Sequence, residues 1–198
     1  MTAIVLAGGS EAISLEQNSI LHSSLIPMGD RPFLYWLTRW VIRQGFKQVV
    51  YSAGIHSEKL MPWVHEQTLL DLDVCFDVLG ESRPLGTGGA SLLATQRFPS
   101  DIVLIANGDS LLLSDLQESL LRLRSSEDLD GVLVGLSREN AGRFGTLILD
   151  EQNHLTSFRE KQPGNGLVNA GIYLVKTKIF QGLETDKELS LELDLFPK

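Results

Sequence analysis

Ile4-Val5-Leu6-Ala7-Gly8-Gly9 is an apolar run that stops at two glycines. No basic segment precedes it and it is too short for an export signal, so it reads as a first β-strand. The same pattern recurs along the chain. Gln48–Ser52, Val74–Leu79, Ile102–Ala106 and Gly131–Leu136 are short β-branched or apolar runs, each bounded by Gly, Asp or Ser. Between the first two runs, Phe33, Trp36, Leu37, Trp40 and Val41 are spaced for one helix face, with Gly45 at the expected stop. Leu116, Leu120 and Leu123 repeat that spacing after Asp115. Strand alternating with helix predicts an α/β fold: an open, mostly parallel sheet covered on both faces. The last third differs. Thr146–Leu149, Leu155–Glu160 and Val168–Val175 read as strands joined by short polar turns, which predicts an antiparallel or mixed extension. No linker or repeat interrupts residues 1–198, so the chain reads as one domain.

Composition narrows the function. Hydrophobic residues make up 43% of the chain and charged residues 21%, which excludes wholesale disorder. No apolar run reaches the roughly 18 to 20 residues of a membrane span. The net charge of −8 repels a phosphate backbone, so nucleic acid is not an expected partner. A small phosphate ligand is still compatible, because backbone N–H groups can supply local positive potential. Cys75 is the single cysteine, so no internal disulfide can form and a cytoplasmic location is expected. Its apolar setting, Val74-Cys75-Phe76, reads as that of a structural thiol, with a reactive one the alternative. The helix 33–41 serves either a core face or self-association, so a homo-oligomer is open.

Five segments carry candidate chemistry. Gly8 and Gly9 end a strand, where a phosphate or base can approach the backbone with no Cβ in the way; a tight turn is the plain alternative. Pro84-Leu85-Gly86-Thr87-Gly88-Gly89-Ala90 reads as a glycine loop running into a helix, Ser91–Gln96, whose N-terminus offers free N–H groups. It has neither the lysine of a phosphate-binding P-loop nor dinucleotide-type spacing. Asn107-Gly108-Asp109 follows a strand, where open α/β sheets bind ligands, and the Asp109 carboxylate is a hard oxygen ligand suited to Mg²⁺. Ser114 and Asp115 serve better than Asp109 as the cap of the next helix. Glu160, Lys161 and Asn169 lie at strand ends and can bind hydroxyls or phosphate. His22, His56, His65 and His154 show no metal-ligand spacing and read as solvated.

Together, Leu6-Ala7-Gly8-Gly9, Leu25–Pro32, Pro84–Ala90, Asn107-Gly108-Asp109, Phe158-Arg159-Glu160-Lys161 and Asn169–Tyr173 resemble the sugar-1-phosphate nucleotidyltransferases, in that family's order. Pro84–Ala90, Arg143-Phe144-Gly145 and Ser190-Leu191-Glu192 are most similar to the branch of D-glycero-α-D-manno-heptose 1-phosphate and mannose-1-phosphate guanylyltransferases. The resemblance implies a three-layer Rossmann-like fold with a mostly parallel mixed sheet. It implies a nucleoside triphosphate, GTP in this branch, and a sugar 1-phosphate as substrates, with release of pyrophosphate for nucleotide-sugar and polysaccharide biosynthesis. It also implies roles: Leu6, Ala7, Gly8, Gly9, Gly86, Thr87 and Gly88 around the nucleotide, and Asp109 as catalytic residue and Mg²⁺ ligand. Asn107, Gly145, Glu160, Lys161 and Asn169 fall around the sugar phosphate.

The chain departs from the family pattern in three places. The family continues Leu-Ala-Gly-Gly with Gly-Thr-Arg-Leu, whereas Ser10-Glu11-Ala12-Ile13 carries no arginine. Ser23 stands where the family has a lysine. Residues 1–198 stop before the family's later strand and its second metal aspartate; Asp194 matches a position ahead of that strand. Each oriented cation aimed at a transferring phosphate is worth about 2–4 kcal/mol. Arg31, Arg83 and Lys161 are the candidates for compensation. The alternative reading is a catalytically impaired homologue that binds a nucleotide sugar or a partner protein. A glycosyltransferase is a third, for which Asn107-Gly108-Asp109 is a poor metal motif.

Overall fold

The computed structural model describes residues 1–8, 13–15, 19–21, 23–70, 73–159 and 164–197. Twelve strands occur among them. β1 (Thr2–Leu6) is followed by two small hairpins, β2 (Ile13–Leu15) with β3 (Ser19–Leu21) and β4 (Pro27–Met28) with β5 (Arg31–Pro32). Then come β6 (Gln48–Ser52), β7 (Cys75–Leu79), β8 (Ile102–Asn107), β9 (Gly131–Arg138), β10 (Thr146–Leu149), β11 (Leu155–Arg159) and β12 (Gly166–Lys176). The helices are α1 (Phe33–Arg43), α2 (Met61–Leu70), α3 (Gly86–Arg97) and α4 (Gln117–Ser125).

The main sheet runs β11-β10-β12-β8-β1-β6-β7, with β9 also paired to β12. β1 sits between two parallel neighbours, so that Ile4 stands opposite both Val50 and Ile105. The chain fills the β6–β7 side first and then returns to place β8 on the other side of β1. That reversal opens a crevice at the carboxyl ends of β1 and β8, where sheets of this kind hold ligands.

Alternation along each strand builds two cores. Ala3, Val5, Val49, Tyr51, Leu104 and Ala106 face α1, α2 and α4, whereas Ile4, Val50, Val103 and Ile105 face α3 and the segment around Phe180 and Leu191. Helices therefore cover both faces, as the sequence predicts. The apolar face of α1 buries Leu34, Leu37, Thr38, Trp40 and Val41. Trp36, expected on that face, lies on the outer side and donates its indole N–H to the Met28 carbonyl at 3.0 Å. Gln44 at the end of α1 accepts the Leu116 N–H at 2.8 Å, and Asp115 accepts the Gln117 N–H at 2.7 Å, so α4 is seated and capped as expected.

The antiparallel extension is centred on β12. Its later half, Ile172–Lys176, pairs β8, while Leu167 and Val168 pair β10. β9 runs antiparallel beside β12 along both halves, with a register break between Asn169 and Tyr173. β9 thus belongs to the extension and not to the parallel alternation from which it was read.

Three local expectations are corrected. The glycine stretch is no loop ahead of a helix beginning at Ser91: α3 starts at Gly86 and contains Gly88 and Gly89. The Lys187 carbonyl explains Gly89, and Leu189 explains Gly86 and Gly88. The Leu189 carbonyl lies 2.4 Å from where a Cβ on Gly86 would stand and 3.0 Å from one on Gly88, and Gly86 has φ +69°. Cys75 begins the edge strand β7 and is exposed, because its side chain points away from the apolar side that Val74 and Phe76 serve. The strand read as Leu155–Glu160 runs to Arg159, and Glu160 lies outside the described residues.

Candidate active site

The crevice at the sheet's carboxyl edge is a cleft of about 540 Å³. Each parallel strand contributes its end: Leu6-Ala7-Gly8 after β1, Ser52-Ala53-Gly54 after β6, Glu81 after β7 and Asn107-Gly108-Asp109 after β8. Backbone bonds lock these ends together. The Ala7 N–H donates to the Ser52 carbonyl and the Gly108 N–H to the Leu6 carbonyl, both at 2.8 Å. Gly8 and Gly54 touch so closely that a Cβ on Gly8 would stand 2.9 Å from the Gly54 nitrogen. The start of α3 closes the cleft through Leu85, Gly86, Thr87 and Ala90.

Most of the nucleotide-side candidates meet here. Leu6, Ala7, Gly8, Gly86, Thr87, Asn107 and Asp109 all line the cleft. Gly88 does not: it is buried and donates its N–H to the Leu189 carbonyl at 2.7 Å, so its role is close packing. The Thr87 hydroxyl is already committed, donating to Glu192 at 2.9 Å and accepting the Leu191 N–H at 2.8 Å. Gly9 lies outside the described residues, as do Glu160 and Lys161.

Of the sugar-side candidates, Gly145 and Asn169 are described on the extension. The Gly145 carbonyl accepts the Asn169 N–H at 2.9 Å, which joins these two residues. Gly171 packs against Asn107: a Cβ there would stand 2.4 Å from Nδ2 of Asn107. Asn107 therefore touches both sides, lining the cleft and abutting β12 two residues beyond Asn169.

Glu81, Lys59 and His56 are among the cleft residues that escaped the sequence reading. Glu81 is half-buried; its carboxylate accepts the Ser52 hydroxyl and the Leu85 N–H, each at 3.1 Å. Burial pushes its carboxyl above the ordinary glutamate value, and the Leu85 and Ser52 hydrogen bonds pull the other way. Lys59 is half-buried and forms no ion pair among the described residues. His56, read as merely solvated, lines the cleft and lies 3.7 Å from Glu58. All three come from turns after β6 and β7, whose signal in the sequence is only their position past a strand end. Of the cations expected to compensate, neither Arg31 nor Arg83 lines the cleft.

Asp109 is exposed at the cleft, with one carboxylate oxygen accepting the Ser110 hydroxyl at 3.2 Å. No group of three or more acids, histidines or cysteines gathers around it among the described residues. That donor set suits Mg²⁺, which takes one or two carboxylates and completes its shell with phosphate oxygens and water.

The cleft stands where the sheet order reverses, is lined by Gly8, Gly54, Gly86 and Gly108, and carries the carboxylates of Glu81, Asp109 and Glu188, the arrangement of a nucleotide-binding α/β fold. The chain belongs to the nucleotidyl transferase family, whose model matches residues 2–196. It is 30% identical to the D-glycero-α-D-manno-heptose 1-phosphate guanylyltransferase of Campylobacter jejuni, over 97% of this chain and 83% of that one. It is 25% identical to the mannose-1-phosphate guanylyltransferase of Mycobacterium tuberculosis, over 98% of this chain and 54% of that one. Among solved structures it resembles HddC from Yersinia pseudotuberculosis complexed with GMP-PN, at a TM-score of 0.79 and 27% identity, covering all of this chain and 85% of that one. No helix among the described residues is long and apolar enough to cross a membrane.

Proposed function

We propose that the protein transfers GMP from GTP to a sugar 1-phosphate, D-glycero-α-D-manno-heptose 1-phosphate by likeness to its relatives, and releases pyrophosphate in the cytoplasm. The observation that carries this reading is the meeting of Gly8, Gly86 and Asp109 at one cleft where the sheet order reverses.

In this reading the nucleotide lies over the ends of β1 and β6, which Gly8 and Gly54 hold together backbone to backbone. Glu81 supports guanine: a carboxylate only accepts hydrogen bonds, and guanine presents adjacent N–H donors along one edge. Lys59 supplies positive charge from the turn after β6, a role the residues that follow Gly9 do not fill with arginine. Asp109 would hold a divalent ion, which neutralises phosphate charge when bound. The sugar phosphate lies toward Asn107 and Asn169, with Gly145, Glu160 and Lys161 as further contacts. An oxygen of that phosphate attacks the α-phosphorus, the bond to the bridging oxygen breaks, and pyrophosphate leaves with the electron pair. The residues act by positioning and charge, with no covalent intermediate on the protein.

The test is pyrophosphate release with GTP and a series of sugar 1-phosphates, with and without Mg²⁺. Metal-dependent release with GTP is the expected result. Release with another nucleotide at higher kcat/KM would overturn the guanine assignment, and no release with any pair would overturn the activity. The family and its relatives lend no support to the impaired-homologue alternative.

A further inference from the structure

A chain of hydrogen bonds links the sugar side of the cleft to the nucleotide side, and it passes through one carboxylate. Asn169 donates from Nδ2 to the Tyr173 hydroxyl at 2.7 Å. Tyr173 donates to Oε1 of Glu192 at 2.8 Å. Oε2 of Glu192 accepts the hydroxyls of Thr87 and Ser190, both at 2.9 Å. Thr87 lies in the first turn of α3, within the cleft lining, and its oxygen also accepts the Leu191 N–H.

We infer that Glu192 is a positioning residue that sets the orientation of the Asn169 amide and couples it to the start of α3. The inference rests on the reading of Asn169 as sugar-facing and of Gly86-Thr87 as nucleotide-facing. A carboxylate has no proton to give, so all three hydroxyls must point theirs at it. Tyr173 has one proton and gives it to Glu192, so its oxygen is left to accept, and Asn169 must present Nδ2. Oδ1 of Asn169 is then turned to accept the Gly171 N–H, at 3.0 Å. One amide N–H and one lone pair of Asn169 remain for a ligand, in fixed positions. At the other end, Thr87 gives its proton to Glu192 and must accept from Leu191. Glu192 thus fixes the donor directions of three hydroxyls, Tyr173, Thr87 and Ser190, between the two halves of the site. Burial and the nearby Glu192 push the Tyr173 phenol far above its ordinary value, so it stays a donor throughout the working pH range.

A glutamine at 192 breaks the scheme. Its amide has one accepting oxygen and one donating nitrogen, so either Tyr173 or the Thr87–Ser190 pair faces a donor. If Tyr173 must accept from residue 192, its proton turns toward Nδ2 of Asn169, and the amide orientation is left to the Gly171 N–H alone.

The test uses the full chain labelled with ¹⁵N, reading the Asn169 side-chain amide by NMR in Tyr173→Phe, Glu192→Gln and Thr87→Val, with Thr95→Val as control. Thr95 is in α3 but bonds only the Leu92 carbonyl. The expected result is that Tyr173→Phe, Glu192→Gln and Thr87→Val each shift the Asn169 resonances and speed their exchange, while Thr95→Val does not. Unmoved Asn169 resonances in Thr87→Val would overturn the coupling, and this variant carries the test if Glu192→Gln fails to fold. In kinetics, Thr87→Val should raise KM for the sugar 1-phosphate roughly 2- to 30-fold, the range of coupling between sites. An equal fall in kcat with both KM values unchanged would also overturn it. If wild type turns over no substrate pair, the functional reading falls while the NMR arm still decides the coupling.

Discussion

Gly8 and Gly54 meet backbone to backbone, with the Cβ position of Gly8 2.9 Å from the nitrogen of Gly54 and that of Gly54 3.0 Å from the Gly8 carbonyl oxygen. The ends of β1 and β6 are therefore held together without any side chain between them. Gly8→Ala should push the two turns apart, weaken GTP binding and lower the melting temperature. Gly54→Ala should be worse, because φ is +61° there and a left-handed alanine costs about 1–2 kcal/mol on its own. Thermal melts with and without GTP measure both effects; a Gly8→Ala protein that binds GTP as wild type would remove this contact from the site.

Glu81 gives a pH prediction. The free carboxyl is raised by burial, and only its ionised form offers two accepting oxygens to guanine's adjacent N–H donors. Protonation therefore competes with binding, so GTP affinity should fall as pH drops through that raised pKa and level off above it. For folding the sign is opposite: a raised carboxyl favours the folded state below the unfolded pKa, and this is lost as pH rises through the folded one. Glu81→Gln should flatten the affinity profile and narrow the preference for GTP over ITP, which lacks guanine's exocyclic amine. Titration calorimetry from acid to neutral pH reads both; an unchanged GTP to ITP ratio would take Glu81 off the base.

Asp109→Asn keeps the shape of an exposed residue and removes its charge. Turnover should fall at least roughly 100-fold and lose its dependence on Mg²⁺, since a bound metal is worth several kcal/mol to the transition state. The melting temperature without ligand should hold. Metal-dependent activity at the wild-type level in this variant would exclude the assignment.

Lys59→Ala should raise KM for GTP and cut kcat/KM about 10- to 100-fold, the usual effect of losing a hydrogen bond to a charged group. Lys59→Arg should restore part of it. Equal kinetics for wild type and Lys59→Ala would send the search for the phosphate-facing cation elsewhere.

The parallel half of the sheet was readable because strand and helix periods differ and each run ended in Gly, Asp or Ser. Gly8, Asn107 and Asp109 were readable for the same reason, as each follows a strand end. Gly88 misled: glycine is used both where ligands approach and where another backbone does, and only the fold shows Leu189 against it. Glu81, Lys59 and His56 were hidden because they reach the cleft from turns, where spacing carries no period. Cys75 was misjudged because an edge strand alternates between covered and open sides that a short apolar run does not reveal.

β12 changes partners at its midpoint, from β10 at Leu167 and Val168 to β8 from Ile172 onward, with β9 following it throughout. In the proposed function, the nucleotide-facing and sugar-facing parts of the molecule are consequently joined along one strand. A chimaera that exchanged residues 131–170 for those of a relative would leave β1, β6, β7 and β8 untouched, so acceptor preference could be transplanted as a cassette while the nucleotide cradle stayed in place.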